Sequence, residues 1–158
     1  FHAIEISLKQ YDGHKNIYLF VVGDGDLRSE LEHLITEKKL STQVHLLGRR
    51  SDIPQLMSAA DLFILSSSFE GFGLVVAEAM ACQTYVVATD CGGVKEVMGD
   101  TGILVQPKNS LHLAQALMRA INLSDVEVIQ NNMKAVMHVS KNFDLKIIVT
   151  KWLEIYAK

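Results

Sequence analysis

The chain has 158 residues, about the size of one domain. Hydrophobic residues make up 49% of it and charged residues 21%, which is enough apolar surface for a core and excludes a disordered chain. The net charge is −3 and no long basic run occurs, so nucleic-acid binding is disfavoured. No apolar run has the length of a membrane span, and no signal peptide is recognisable.

The cysteines and histidines lack the spacing of a metal site. Cys82 and Cys91 form no C-x-x-C pair, and the six histidines include no H-E-x-x-H motif. We therefore expect reduced thiols, as in a cytosolic protein, with no bound metal and no other cofactor.

The chain begins without methionine, inside a segment whose apolar residues have helical spacing. This predicts a helix over Phe1–Gln10 that ends at Asp12 and Gly13. A domain that starts inside a helix is expected to be a fragment. We therefore interpret residues 1–158 as one domain that is truncated at its N-terminus.

Strand-like and helix-like segments alternate along the rest of the chain. The predicted strands are 17–22, 44–47, 61–65, 84–89 and 102–105. This order predicts an α/β fold with a doubly wound, Rossmann-like parallel sheet. Ligands of such sheets bind beyond the carboxyl ends of the strands. Four glycine-bearing loops follow strands and are expected on that rim: 23–25, 48–52, 66–73 and 90–93.

Several local features of the elements are also predicted. The apolar run Ile17–Val22 predicts a strand covered on both faces. Leu27 is predicted to begin the packing face of the next helix, and Ser110 is predicted to cap a later one. Trp152 and Tyr156 are expected on a packing face of the last helix.

The segment 66–87, SSSFEGFGLVVAEAMACQTYVV, contains the strongest indication of a ligand site. A loop with two glycines opens a helix, so backbone N–H groups of Phe72, Gly73 and Leu74 would face an anion, with the helix dipole behind them. Gly71 and Gly73 have no Cβ, so a ligand could approach the backbone closely.

Two carboxylates, Glu70 and Glu78, bracket this loop. A carboxylate is a poor neighbour for phosphate, but its two oxygens accept two hydroxyl groups of a sugar at once. A nucleotide sugar carries a diphosphate with polyols on both sides, so it suits both features. The residues predict that Glu78 binds one diol and Glu70 the other.

This pattern resembles a known family. Glu70 and Glu78 with E-G-F-G-L between them, followed by E-A-M-A and V-V-A-T, resemble the donor-binding half of retaining GT-B glycosyltransferases of glycosyltransferase family 4, the group 1 glycosyl transferases. The segment 23–32, G-D-G-D-L-R-S-E-L-E, is similar to another family motif. The resemblance is carried by motifs as far as residue 105 and is looser beyond it.

The resemblance implies a fold and a function. The chain would be the nucleotide-sugar donor-binding domain, one half of a two-domain GT-B enzyme, with the acceptor domain absent from this sequence. The full-length enzyme would transfer a sugar, with retained configuration, to the hydroxyl of a saccharide or lipid-linked acceptor in cell-surface polysaccharide or lipopolysaccharide synthesis. It would be cytoplasmic, with peripheral association at the inner face of the membrane, and the fragment alone is expected to be inactive.

The resemblance also implies residue roles. Glu70 would contact the donor sugar and stabilise the reacting centre, as the catalytic residue, and Glu78 would bind the ribose diol. The donor would further contact the backbone at Gly71, Phe72, Gly73 and Leu74.

A second group would lie at the nucleotide end. Gly23 is at a strand-to-helix turn, and Gly48, Arg49 and Arg50 match the loop that lines the base. The two arginine side chains are either ligands or solvated surface charges. The segment C-G-G-V-K-E-V at 91–97 matches a further family motif, for which we expect a structural role.

The chain departs from the family pattern at two positions. Gln83 and Tyr85 stand where glycine and proline are usual, and Gln83 at a helix end that normally needs positive φ is expected to reduce stability. The family's arginine and lysine that neutralise the leaving diphosphate would precede Phe1.

Other interpretations remain open. The chain could be a nucleotide-sugar binding fragment without catalysis. Gly23 and Gly25 could belong to a dinucleotide motif, although Arg28 replaces its third glycine and Asp24 and Asp26 would repel a pyrophosphate. A phosphorylase would need a pyridoxal lysine, for which the sequence shows no context, and an epimerase would not need E-G-F-G-L.

Overall fold

The computed structural model describes residues 2–11 and 16–157. Its helices are α1 (His2–Gln10), α2 (Arg28–Glu37), α3 (Ile53–Ala59), α4 (Leu74–Ala81), α5 (Val94–Met98), α6 (Ser110–Ile121), α7 (Asp125–Phe143) and α8 (Leu145–Tyr156). Its strands are β1 (Leu19–Val22), β2 (Val44–Gly48), β3 (Leu62–Leu65), β4 (Tyr85–Thr89) and β5 (Ile103–Val105). The predicted order of elements is confirmed. The predicted helix start at Phe1 and the predicted stop at Asp12 and Gly13 lie outside the described residues.

The chain forms two compact units, Phe1–Ile53 and Pro54–Lys158. The first contains a parallel pair of strands, β1 and β2, and the second contains a parallel sheet in the order β3-β4-β5. The predicted α/β class with parallel strands is therefore confirmed. In the described residues, the ladder hydrogen bonds join these strands in two groups.

In the first unit, α1 and the two strands pack around Ile35, Leu40 and Val44. Strand β1 alternates between partly buried and exposed residues, with Phe20 57% exposed and stacked on His45 of β2. The prediction that both faces of this strand are covered is wrong, because one face is exposed. That exposed face also carries apolar side chains, which is why the sequence shows an unbroken apolar run. Such a strand cannot be distinguished from a buried one by its apolar run alone.

The predicted packing role of Leu27 is also wrong. Leu27 lies at the N-cap position of α2, one residue before the helix begins, and is 64% exposed. The buried residue of that helix is Ile35, two turns further along.

In the second unit, all five residues of β4 are buried, as expected for the central strand of a parallel sheet. Val87 and Ala88 in this strand and Val76 and Ala79 in α4 have no exposed surface. The helix that follows the E-G-F-G loop therefore rests on the most deeply buried part of the sheet, so its N-terminus has a fixed position.

Side chains cap three helices of the second unit. Asn109 caps α6 by accepting a hydrogen bond from the His112 N–H at 3.0 Å, so the prediction of Ser110 as the cap is wrong by one residue. Asn109 has extended backbone angles, which a cap requires, whereas Ser110 is already helical. Ser124 and Asp144 cap α7 and α8.

The predicted packing of Trp152 and Tyr156 is wrong. Their rings stack on one another, with centroids 5.9 Å apart, and they are 54% and 78% exposed. Their spacing of four residues brings them to one side of α8, a helix with no buried residue. No helix in the described ranges is long and apolar enough to cross a membrane.

Candidate functional site: the loop before α4

The site predicted from the sequence lies between the end of β3 and the start of α4. Gly73 is the N-cap of α4 and has left-handed backbone angles, φ 84° and ψ 38°. No side chain caps this helix, and no described residue accepts a hydrogen bond from the backbone N–H of Phe72, Gly73 or Leu74. Helices α2 and α5 also start without a side-chain cap, so what distinguishes α4 is the surroundings of its N-terminus.

Glu70 is held within this loop. The Ser67 hydroxyl donates to Glu70 Oε1 at 2.9 Å, and Glu70 is only partly buried. The buried hydroxyl of Thr89, at the end of β4, donates to the Ser67 carbonyl oxygen at 2.6 Å. The sheet therefore fixes Ser67, and Ser67 orients a carboxylate that keeps its second oxygen for a ligand.

The glycine turn after β4 packs against the backbone of the same loop. The Gly93 N–H donates to the Gly71 carbonyl at 2.9 Å, and a Cβ on Gly92 would lie 1.9 Å from the Glu70 carbonyl oxygen. A Cβ on Gly73 would lie 3.0 Å from Val94 Cγ2. The expected structural role of this turn agrees with these contacts, since only glycine leaves room for the two loops to meet.

Gly71 has a different environment. A Cβ at this position would meet nothing within 4 Å in the described part of the chain. The packing of the protein therefore does not require glycine here, which leaves the approach of a ligand as a reason for it.

Glu78 lies in the second turn of α4 and is exposed. It follows Leu74 by four residues, so both are on one face of the helix, and Leu74 is 66% exposed. Thus the Glu70 carboxylate precedes the uncapped N-terminus of α4, and the Glu78 carboxylate lies one turn after it. This arrangement provides anion-binding N–H groups between two acceptors for hydroxyl groups.

The Phe72 ring takes part in a second set of contacts in the same unit. Its ring makes an edge-to-face contact with Phe143 at the end of α7, with centroids 5.4 Å apart. Phe143 in turn contacts the His138 ring at 5.7 Å. A cavity of about 300 Å³ adjoins these rings, and Glu96 and Lys151 are among its other lining residues.

In the first unit, the predicted residues Gly23 and Gly48 lie together. The Gly23 N–H donates to the Gly48 carbonyl at 2.8 Å, where β1 and β2 end. Arg49 and Arg50 are both exposed, and Arg50 donates two hydrogen bonds to the Asp52 carboxylate, at 2.8 and 2.6 Å. These bonds lower the pKa of Asp52 and raise the pKa of Arg50, so the charge of Arg50 is already balanced. Contact of these four residues with a nucleotide stays a prediction.

Arg28, which stands in place of a third glycine, is part of a small charged group. Its guanidinium lies 2.9 Å from the Glu32 carboxylate and 3.7 Å from that of Asp24. A Cβ on Gly48 would be 3.5 Å from the same guanidinium. The space that a dinucleotide motif leaves open with its third glycine thus holds a large, paired side chain.

Three residues of this site were missed by the sequence analysis. Ser67 could have been found, since S-x-x-E places it three residues before Glu70. Thr89 ends the strand beside β3, so parallel pairing could have suggested it as a loop contact. Phe143 has no such indication, because it lies 71 positions after Phe72 in the sequence.

Parallel strands with glycine-bearing loops at their carboxyl ends, and an open helix N-terminus between two carboxylates, define an α/β domain suited to a phosphorylated sugar ligand. The sequence profile of the family described as "Glycosyl transferases group 1" matches residues 2–136, and the chain belongs to that family.

The chain is similar to named proteins of this kind. It is 34% identical over 142 residues to N-acetyl-alpha-D-glucosaminyl L-malate synthase of Bacillus anthracis, covering 87% of the chain and 36% of that protein. It is 34% identical over 120 residues to N,N'-diacetylbacillosaminyl-diphospho-undecaprenol alpha-1,3-N-acetylgalactosaminyltransferase of Campylobacter jejuni, covering 75% of the chain and 31% of that protein.

A solved structure confirms the fold prediction. The structure of HepE from Anabaena in complex with UDP and glucose superposes with a TM-score of 0.84 at 33% identity, covering 99% of this chain and 44% of that chain. The predicted GT-B type of α/β fold is therefore confirmed. The chain spans about a third of the length of the curated relatives that it matches.

Proposed function

We propose that this chain binds the nucleotide-diphosphate sugar of a retaining glycosyltransferase. The observation that carries the proposal is the open N-terminus of α4 with Glu70 before it and Glu78 on its second turn. Membership of the glycosyl transferase family supports it, as does the likeness to a structure that holds UDP and glucose.

In this proposal the backbone N–H groups at Phe72, Gly73 and Leu74 bind the diphosphate. The positive end of the α4 dipole stabilises the negative charge that develops on the departing nucleoside diphosphate, which lowers the barrier to bond cleavage. We expect these fixed dipoles to act without a metal ion. Glu70 accepts hydrogen bonds from the donor sugar and stabilises its positive charge in the transition state, and Glu78 binds the ribose diol.

The full-length protein transfers the sugar to a hydroxyl group of a saccharide or lipid-linked acceptor in cell-surface polysaccharide or lipopolysaccharide synthesis. The name of the Campylobacter jejuni relative, which contains a saccharide joined to diphospho-undecaprenol, supports this class of acceptor. With such an acceptor, the enzyme acts in the cytoplasm, at the inner face of the membrane, and needs no nucleic acid.

The role of Glu78 can be tested by calorimetry with UDP, GDP and ADP. We expect one diphosphate to bind and Glu78→Ala to weaken its binding by roughly 1–3 kcal/mol, since a charged hydrogen-bond acceptor is lost. Glu154→Ala, which removes an exposed carboxylate from α8, is the matched control and should leave the affinity unchanged. Equal affinities of wild type and Glu78→Ala for all three diphosphates would exclude the proposed role.

A further inference from the structure

We propose that Phe143, at the end of α7, is a positioning residue that holds the donor-binding loop in its binding conformation. This inference rests on the proposed function of that loop. The Phe143 ring contacts that of Phe72 edge to face, with ring centroids 5.4 Å apart.

The loop is held from two directions. On one side, the turn at Gly92 and Gly93 contacts its backbone, through the hydrogen bond to the Gly71 carbonyl and the close approach to the Glu70 carbonyl. These contacts fix the carbonyl groups. The turn also borders the Phe72 ring, since a Cβ on Gly93 would lie 3.2 Å from Phe72 Cδ2. Phe143 adds a second contact to this ring, which is 40% exposed.

Phe143 is itself immobilised by its neighbours on α7. The His138 ring contacts Phe143 at 5.7 Å, and His138 Nε2 lies 3.2 Å from the Glu96 carbonyl of α5. The Asn142 side chain donates to the His138 carbonyl at 2.9 Å. The end of α7 is thus tied to α5, the helix that follows the glycine turn, so both contacts on the loop belong to one packed group.

The adjoining cavity makes the contact of Phe143 sensitive to truncation. A cavity of about 300 Å³ already borders Phe72 and Phe143. An alanine at position 143 would enlarge it and give the Phe72 ring room to turn away. The backbone N–H groups beside Phe72 would then lose their fixed direction, and a preorganised anion site would become a mobile one.

The test compares Phe143→Ala and Phe143→Leu with wild type in the full-length protein, using UDP, GDP and ADP as probes. We expect Phe143→Ala to weaken binding of the diphosphate about two- to tenfold, the factor that corresponds to one aromatic pair. Phe143→Leu, which restores most of the volume, should recover part of this loss. The amide NMR signals of ¹⁵N-labelled Gly71 and Gly73 should shift or broaden in Phe143→Ala without any ligand.

Trp152→Ala is the control, since it removes an aromatic ring that contacts only Tyr156 among the aromatic rings of the described chain. It should leave the affinity and the glycine signals unchanged. A Phe143→Ala protein that melts at a lower temperature but keeps the wild-type affinity and glycine signals would overturn the positioning role alone. If Phe143→Ala does not fold, the same comparison on Phe143→Leu decides. Failure of the wild type to bind any diphosphate would overturn both this inference and the proposed function.

Discussion

At the scale of the residue, Gln83 shows how a departure from a family pattern is accommodated. Gln83 follows the C-cap of α4 and has φ 60°. The N–H of Thr84 donates to the Ala79 carbonyl and that of Gln83 to the Met80 carbonyl, the two bonds of a Schellman motif. The Gln83 carbonyl accepts from the buried Asn132 amide at 2.7 Å. The expected positive φ is therefore present, and the backbone around it satisfies its hydrogen bonds despite the missing glycine.

Replacing Gln83 with glycine should stabilise the protein. A side chain in the left-handed region costs about 1–2 kcal/mol, and part of this gain is lost to the greater freedom of glycine in the unfolded chain, so we expect a net gain of about 0.5–1 kcal/mol. Chemical denaturation measures the change. Gln83→Ala keeps the Cβ and should show no gain, and an equal gain in both variants would contradict the backbone explanation.

Lys39 provides a second example in the first unit. It has φ 57°, and the N–H groups of Lys39 and Leu40 donate to the carbonyls of Thr36 and Ile35 in the same pattern after α2. Both helix ends could be predicted from helical spacing. Their left-handed residues could not be recognised by residue type, because the usual glycine is absent from both.

At the scale of the element, α7 connects the parts of the second unit. Its N-terminus has a capping box in which Ser124 accepts from the Glu127 N–H, while Glu127 accepts from the backbone and hydroxyl of Ser124 at 2.9 and 2.7 Å. Its middle binds the end of α4 through Asn132, and its C-terminus contacts the loop before α4 through Phe143. A loss of stability in α7 is therefore expected to disturb the loop before α4, even when the change is made at the other end of the helix.

The capping box makes stability depend on pH. Hydrogen bonds from Ser124 lower the pKa of Glu127 below its ordinary value of 4.5. Because the folded-state pKa is lowered, this stabilisation is present above the ordinary pKa and is lost as the pH falls through the folded-state value. Ser124→Ala should cost about 1 kcal/mol near neutral pH. Urea unfolding across the acid range should show the difference between wild type and variant shrinking as the pH falls.

Ser140→Ala, on the exposed face of the same helix, is the control for that experiment. It should leave both the stability and its dependence on pH nearly unchanged. A difference between wild type and Ser124→Ala that stays constant down to strongly acidic pH would show that Glu127 is not the responsible group.

The elements differ in how well the sequence predicts them. Parallel strands followed by glycine loops were predictable, because apolar runs and glycines are local features. The single-residue difference between Asn109 and Ser110 was not, because both side chains can cap a helix and only backbone angles decide. The packing of Gly92 on Glu70 was not predictable either, since it joins two loops through a contact that has no sequence pattern.

At the scale of the whole molecule, the chain has two compact units with separate cores. Ile35, Leu40 and Val44 form that of the first, and the buried strand β4 with α4 dominates that of the second. Glu70 and Glu78 both belong to the second unit. The chain spans 36% of the length of its Bacillus anthracis relative.

Glu70→Gln in the full-length protein separates catalysis from binding. Glutamine keeps an oxygen that can accept from Ser67, but it removes the negative charge that we propose stabilises the transition state. We expect turnover to fall on the order of 10²-fold while the affinity for the nucleoside diphosphate changes less than about threefold. Steady-state kinetics measures the turnover, and calorimetry on the same preparation measures the affinity for the nucleoside diphosphate.

Glu78→Gln is the matched variant for that experiment, and it should show the reverse, with a larger effect on diphosphate affinity than on turnover. Equal losses of turnover and affinity in Glu70→Gln would assign Glu70 to binding alone.

Gly71 and Gly92 have different surroundings, so glycine is expected to be retained at the two positions for different reasons. At position 92 the reason is folding, and at position 71 it is ligand binding. In a library of random variants screened only for folded protein, position 92 would stay glycine, because any Cβ there collides with the Glu70 carbonyl. Position 71 would accept other residues under the same screen, since the protein leaves space for them. A second screen for ligand capture would then remove the substitutions at 71, so the difference between the two surviving populations would map where the ligand touches the chain.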